Sequence, residues 1–149
     1  MKRLLHFFRL SGRQQRLILE ILSILWIVRL LLWLLPSRLW RRLLHPYLRV
    51  REMPTPHPQS EALEVANGIT KAGRYVNDAT CLVRALAGQM MLARRGFSTE
   101  LKIGVAITSA KKLDAHAWIV YDNRVIIGLV PNLERYAVMP ISDITALHV

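Results

Sequence analysis

Between Leu17 and Leu35 apolar residues occupy nearly every face of a helix, interrupted only by Glu20, Ser23 and Arg29, so the stretch carries no single polar stripe. Its start is marked by Ser11-Gly12-Arg13-Gln14, in which the serine hydroxyl caps the first turn and the glutamine three residues on reaches back to it. Pro36 stops it, and the spacing predicts a helix of about 24 residues, ~36 Å long. A short basic helix, Ser37 to about Leu44, follows and ends at His45-Pro46. The run Met53-Pro54-Thr55-Pro56-His57-Pro58 then alternates proline, which suits neither a helix nor a central strand. It reads as an extended linker that ends where Ser60 caps the next helix.

Beyond the linker the periodicities change. A helical stretch from Glu61 to about Tyr75 is weakened by Gly68 and Gly73. Asn77 and Asp78 offer caps for a stronger helix, Ala79 to Arg95, closed by Gly96 as a left-handed stop. Leu101, Ile103, Val105 and Ile107 alternate with Lys102, Gly104, Ala106 and Thr108, the period-two pattern of a strand with one buried face. After a polar link the chain runs through Ala115 to Tyr121, turns at Asp122-Asn123, and returns as Arg124 to Gly128. Helices followed by an antiparallel meander define an α+β class. The expected organisation is a helical arm over 1–52, a proline-rich linker over 53–59 and a core over 60–149.

At 149 residues the chain allows one domain, or a small domain with an appendage, and a domain of this size buries about 68–70% of its unfolded surface. Hydrophobic residues at 52% with 21% charged exclude intrinsic disorder. The net charge of +11 is unevenly placed: residues 1–51 hold 11 Lys/Arg against the single acid Glu20, while residues 52–149 hold 10 against 9. An isoelectric point near 10.9 raises nucleic-acid binding. The basic residues, however, alternate with leucines and tryptophans in helices, with neither a helix-turn-helix glycine pattern nor an RNA-recognition aromatic motif, so no nucleic acid is expected.

The long apolar helix has three candidate environments: protein or a partner interface, a membrane surface, or a bilayer interior. Spanning is disfavoured by Arg29, which costs about 2.5–3.5 kcal/mol near a bilayer centre. Arginines on both flanks assign no orientation, and no A-x-A site follows for a signal peptidase. Trp26, Arg29 and Trp33 share one face at i, i+3 and i+7, which favours a docking surface.

Seven glycines form neither a G-x-G-x-x-G nor a P-loop pattern, so no nucleotide cofactor is expected. The single cysteine, Cys81, excludes an internal disulfide and a thiolate zinc site and suits a reducing, cytoplasmic setting, with membrane association left open. With Asp78 as the cap, Cys81 takes the third helical position, where backbone N–H groups and the helix dipole favour the thiolate and the Asp78 charge opposes it. His116 shares a strand face with Trp118. A cysteine at a helix start followed by a histidine on a later strand lets an imidazole take the thiol proton. The Cys81 backbone N–H is the natural oxyanion donor, with the Asn77 side chain as a second candidate.

The run Ala79-Thr80-Cys81-Leu82-Val83-Arg84-Ala85-Leu86-Ala87, then Leu92-Ala93-Arg94-Arg95-Gly96, Leu101-Lys102-Ile103-Gly104-Val105 and Ala115-His116-Ala117-Trp118, resembles the transglutaminase-core-like leader peptidases of lasso-peptide biosynthesis. These are stand-alone proteases similar to the C-terminal domain of the microcin-processing maturation protein. The N-terminal helices, with Leu34-Leu35-Pro36 before a basic helix, also look like the segment that precedes the core in that family. The resemblance implies a papain/transglutaminase-like α+β core, its cysteine-bearing helix packed on an antiparallel sheet and preceded by a hydrophobic basic arm. It implies a cysteine peptidase, without cofactor or metal, that removes the leader from a ribosomally made precursor peptide. Cys81 is then the nucleophile and His116 the general base and acid. The implied partners are the precursor, an ATP-dependent macrolactam synthetase and a separate leader-recognition protein, since no small leader-binding domain is evident here. The N-terminal helices are its expected contact, and a membrane surface is the other candidate for them.

The family's third catalytic member is an aspartate on the strand after the histidine, and the matching position, 12 residues past His116, holds Gly128. Asp122 is excluded as a substitute at ~20 Å along a regular hairpin. Asp114, on the His116 face, and Asn132, after the partner strand, remain. The alternative activity is that of a membrane-associated transglutaminase-like acyltransferase, using the same Cys81/His116 pair with an amine in place of water.

Overall fold

A computed structural model describes residues 11–50, 58–76 and 79–139. Helix α1, Gly12–Leu34, opens with the expected capping box: Gln14 N–H donates to Ser11 Oγ at 3.4 Å and Ser11 N–H to Gln14 Oε1 at 3.2 Å. Helix α2, Ser37–Leu44, runs into a 3-10 turn, His45–Leu48, at the proline. Of the proline-rich linker, residues 53–57 lie outside the described part, and its last residue already belongs to helix α3, Gln59–Ala72. Pro58, not Ser60, stands at the cap, because the Pro58 carbonyl takes the Glu61 N–H at 2.9 Å and closes the first turn early. Gly73 to Tyr75, expected as helix, form a turn.

Helix α4, Cys81–Arg94, starts later than expected. Thr80 is its cap: the hydroxyl accepts Val83 N–H at 3.4 Å and the carbonyl accepts Arg84 N–H at 3.1 Å, so Cys81 is the first helical residue and not the third. Asn77 and Asp78 lie outside the described residues. Gly96 ends the helix at φ 80°.

The sheet follows. Strands β1 (Glu100–Ile107), β2 (Leu113–Tyr121), β3 (Arg124–Ile127) and β4 (Ala137–Met139) stand in the order β3-β2-β1-β4. β1 and β2 pair antiparallel along their length, Glu100 opposite Val120 through Ile107 opposite Leu113. Asp122 and Asn123, at φ 50° and 58°, make the two-residue hairpin turn. Strand β4 was not foreseen. Three residues after a 3-10 turn, Leu133–Arg135, are too few to show alternation, and they are strand because β1 offers an open edge at Ile103 to Val105.

One face of the sheet, through Ile103, Ala117, Ile119 and Ile127, meets α4 and joins a single apolar cluster with Ile21, Ile24, Leu25 and Val28 of α1 and Val65 and Ile69 of α3. The inner face of the arm is therefore core. Gly68, which weakens α3 on propensity, is where α1 crosses it: a Cβ there would lie 2.4 Å from Ile21 Cδ1. Glu20, the arm's lone acid, is 2.7 Å from Arg95 at the end of α4, and Arg95 also lies 3.6 Å from Glu61 of α3. Ala106, Trp118 and Tyr136 form a smaller cluster on the opposite sheet face.

Leu25→Ala should cost about 2–5 kcal/mol, since the side chain is fully buried, whereas Trp33→Ala on the outer face should stay within about 0.5 kcal/mol of wild type. Urea unfolding midpoints measure both.

Candidate active site

Cys81 owes its place to the Thr80 cap, which starts α4 with the thiol over the sheet. Its Sγ lies 3.9 Å from the carbonyl oxygen of Ala115, the residue before His116 on β2. The side chain is half-buried, and the Cys81 amide sits in the first helical turn, where N–H groups have no acceptor within the helix. Thiol and first-turn backbone N–H thus come from one residue at the mouth of a helix.

His116 is buried on the other sheet face. Its ring stacks on Trp118, with centroids 6.0 Å apart and an 18° interplanar angle, and lies 5.3 Å from the ring of Tyr136. Position 104, opposite His116 on β1, is glycine: a Cβ there would lie 2.9 Å from both Trp118 and Tyr136, so only glycine leaves room for the aromatic cluster under the imidazole. The ring is anchored at Nε2, 2.7 Å from the Gly128 carbonyl oxygen. A carbonyl only accepts, so Nε2 carries the proton and donates it, which leaves Nδ1 as the basic nitrogen of the neutral ring.

That anchor stands where the resemblance placed an aspartate. β3 pairs with β2 only at Ile119 to Tyr121, and past Ile127 the chain swings out through Gly128 at φ 82°. The swing aims a main-chain carbonyl at the imidazole from the position where a carboxylate was expected. The two other candidates are engaged elsewhere or unbonded to the ring. Asp114 Oδ2 accepts from both Arg135 and the Tyr136 hydroxyl, the latter at 2.8 Å, and the Tyr136 hydroxyl in turn accepts from Arg135 at 2.7 Å. The Tyr136 contact raises the Arg135 pKa further above its ordinary value, so that side chain stays cationic. Asn132 is the left-handed residue before the 3-10 turn. Asp122 lies in the hairpin turn, accepting from Gln59 Nε2 at 3.4 Å.

The structure brings the thiol to the backbone next to His116, and thiol and ring approach β2 from opposite faces without a hydrogen bond between them. Tyr136 was missed from the sequence because only the pairing of β4 with β1 carries it to the histidine, and Arg135 is tied in through the Tyr136 hydroxyl. No three His, Cys, Asp or Glu side chains among the described residues are grouped to hold a metal. A cleft of roughly 300 Å³ opens instead between α1 and α3, lined by Arg13, Arg16, Glu20, Glu61, Glu64 and Arg95. Its carboxylates face arginines, and it holds no nucleophile.

A helix bearing a cysteine at its first residue, laid on an antiparallel sheet whose second strand carries a histidine, defines the α+β class of this protein. The family described as the transglutaminase-like superfamily matches residues 24–140, and the chain belongs to it. Members are typically cysteine-dependent enzymes. No curated protein and no solved structure matches the chain. The family match begins inside α1, so the second half of α1 and all of α2 lie within the matched region.

Gly128→Asp should fail to supply a triad carboxylate. A Cβ at this position would lie 2.6 Å from the Ala117 carbonyl oxygen and strain a left-handed backbone, at a cost of about 1–3 kcal/mol. Gly128→Ala should lower the thermal midpoint by a similar amount, because the obstacle is the Cβ and not the carboxylate. Unchanged midpoints would refute this packing.

Proposed function

We propose that this protein is a cysteine peptidase that removes the leader from a ribosomally synthesised lasso-peptide precursor. Cys81 is the nucleophile and His116 the proton carrier. The observation that carries the reading is the pair of main-chain contacts that bring these two groups to the same stretch of β2: Sγ against Ala115 O and Nε2–H on Gly128 O.

With Nε2 committed to Gly128, Nδ1 takes the Cys81 proton. The thiolate attacks the scissile carbonyl, and the developing oxyanion meets the Cys81 backbone N–H. The imidazolium then gives its Nδ1 proton to the leaving amine, and His116 activates the water that hydrolyses the thioester. The thiol and ring are not hydrogen-bonded to each other in the structure, so transfer of the Cys81 proton requires substrate binding to bring them together. The Gly128 carbonyl does the orienting part of an aspartate's work, holding tautomer and ring. Being uncharged, it stabilises the imidazolium less. The precursor arrives on a separate leader-recognition protein, and an ATP-dependent synthetase closes the macrolactam afterwards.

Membership of the superfamily equally supports transfer of the acyl group to an amine. Intact-mass analysis of precursor incubated with the protein and the recognition partner separates the two, since hydrolysis adds water at the cut and transfer adds the amine. Cys81→Ala should abolish product while leaving the circular dichroism spectrum unchanged. His116→Ala should cause a comparable collapse, and the double variant should be no worse than either single one, because the two groups act as a unit. Cleavage by Cys81→Ala at the wild-type rate would end the proposal.

A further inference from the structure

The sequence shows α1 as apolar all round, yet the fold covers only one side. Ile21, Ile24, Leu25 and Val28 are buried, while Leu19, Trp26, Ile27, Leu30, Trp33 and Leu34 form a contiguous outer face, with Trp33 79% and Leu34 64% exposed. The surface continues through Leu39 and Leu43 of α2 to Tyr47 in the 3-10 turn. Ten of the 16 exposed large hydrophobic residues among those described fall between positions 19 and 50.

We infer that this face docks on an anionic lipid bilayer, with α1 lying in the plane of the headgroups. Three observations select that occupant. The first is charge: residues 11–50 hold seven arginines, and their single acid, Glu20, is turned inward to Arg95, so the arm offers an anionic surface no repulsion. The second is the scarcity of polar anchors on the α1 part of the face. Its one hydroxyl there, Ser23, donates back to the Leu19 carbonyl at 2.8 Å. Protein interfaces carry about one hydrogen bond per 100–200 Å², whereas hydrocarbon asks for none. The third is the seating of the helix. α1 is long and apolar enough to cross a bilayer, but its inner face is locked in the core and Glu20 is paired to α4, so a spanning pose would tear the domain open. A helix that keeps those contacts can only lie flat, apolar face down, with Trp26 beside Arg29 (ring centroid to guanidinium 5.8 Å) suited to the headgroup boundary.

The inference stands on the arm alone and is independent of the peptidase reading. Full-length protein is sedimented with vesicles of phosphatidylcholine, with and without phosphatidylglycerol, and α1 is probed by quenching of tryptophan fluorescence with brominated lipid. Binding should need the anionic lipid, weaken as salt rises, and quench the tryptophans. Leu30→Glu/Trp33→Glu, outside the core, should lose at least tenfold in affinity with unchanged circular dichroism, and Arg42→Glu should reduce it without altering the fold. Failure to bind vesicles would overturn the inference and leave the face to a protein partner. Equal binding to neutral vesicles, or full binding by the double variant, would overturn it as well. Protein released from membranes by detergent but by neither salt nor alkali would show a spanning helix instead.

Discussion

Helix α4 has neighbours on every side: α1, α3, the 3-10 turn after α2, and strands β1, β2 and β3 all pack on it. A helix so enclosed must be apolar around its circumference and narrow where its neighbours come closest. Ala85, Ala87, Gly88 and Ala93 meet that demand, and at Gly88 the methyl tip of Ile127 stands where a Cβ would be, 2.2 Å away. Its two ends are less enclosed: Arg94 in the last turn is exposed, and Cys81 and Leu82 in the first are half-buried. The packing that encloses the middle of the helix leaves Cys81, at its amino end, partly open to solvent.

The site is a product of strand edges more than of side-chain choice. β3 is short, so β2 lacks its partner beside His116, and the chain leaving β3 bends back through a left-handed glycine to close the gap with a carbonyl. A main-chain oxygen costs no side-chain entropy to hold still and brings no buried charge, which suits a histidine set among Trp118 and Tyr136. Asp114, freed from the imidazole, ties Arg135 and Tyr136 to the start of β2 and so braces the aromatic wall behind the ring.

The arm couples this core to its surroundings. Its inner face completes the cover over α4, and the Glu20–Arg95 pair, partly shielded from solvent, ties the two at the far end of that helix from Cys81. Its outer face repeats the inner one in composition, which explains why hydropathy along the chain shows no stripe: the division between faces is made by contact, not by residue type.

Much of the architecture was legible along the chain because its determinants are local. The Ser11–Gln14 box, the stop at Pro36, the short α2, the alternation of β1 and the Asp122-Asn123 turn each lie within a few residues, whereas Cys81 and His116, 35 positions apart, were singled out by residue type and by the elements they fall on. The start of α4 was misplaced because Asp78 and Thr80 are both good caps, and only the fit of the helix against the sheet chooses between them. What tertiary structure alone decided is non-local: the β4 pairing that brings Tyr136 to His116, the inward turn of Glu20, the division of α1 into covered and bare faces, and the carbonyl that holds the imidazole. A backbone oxygen has no letter in the sequence. Where it points depends on the path of the chain, and here that path turns on a glycine whose conformation is set by the strand it has just left.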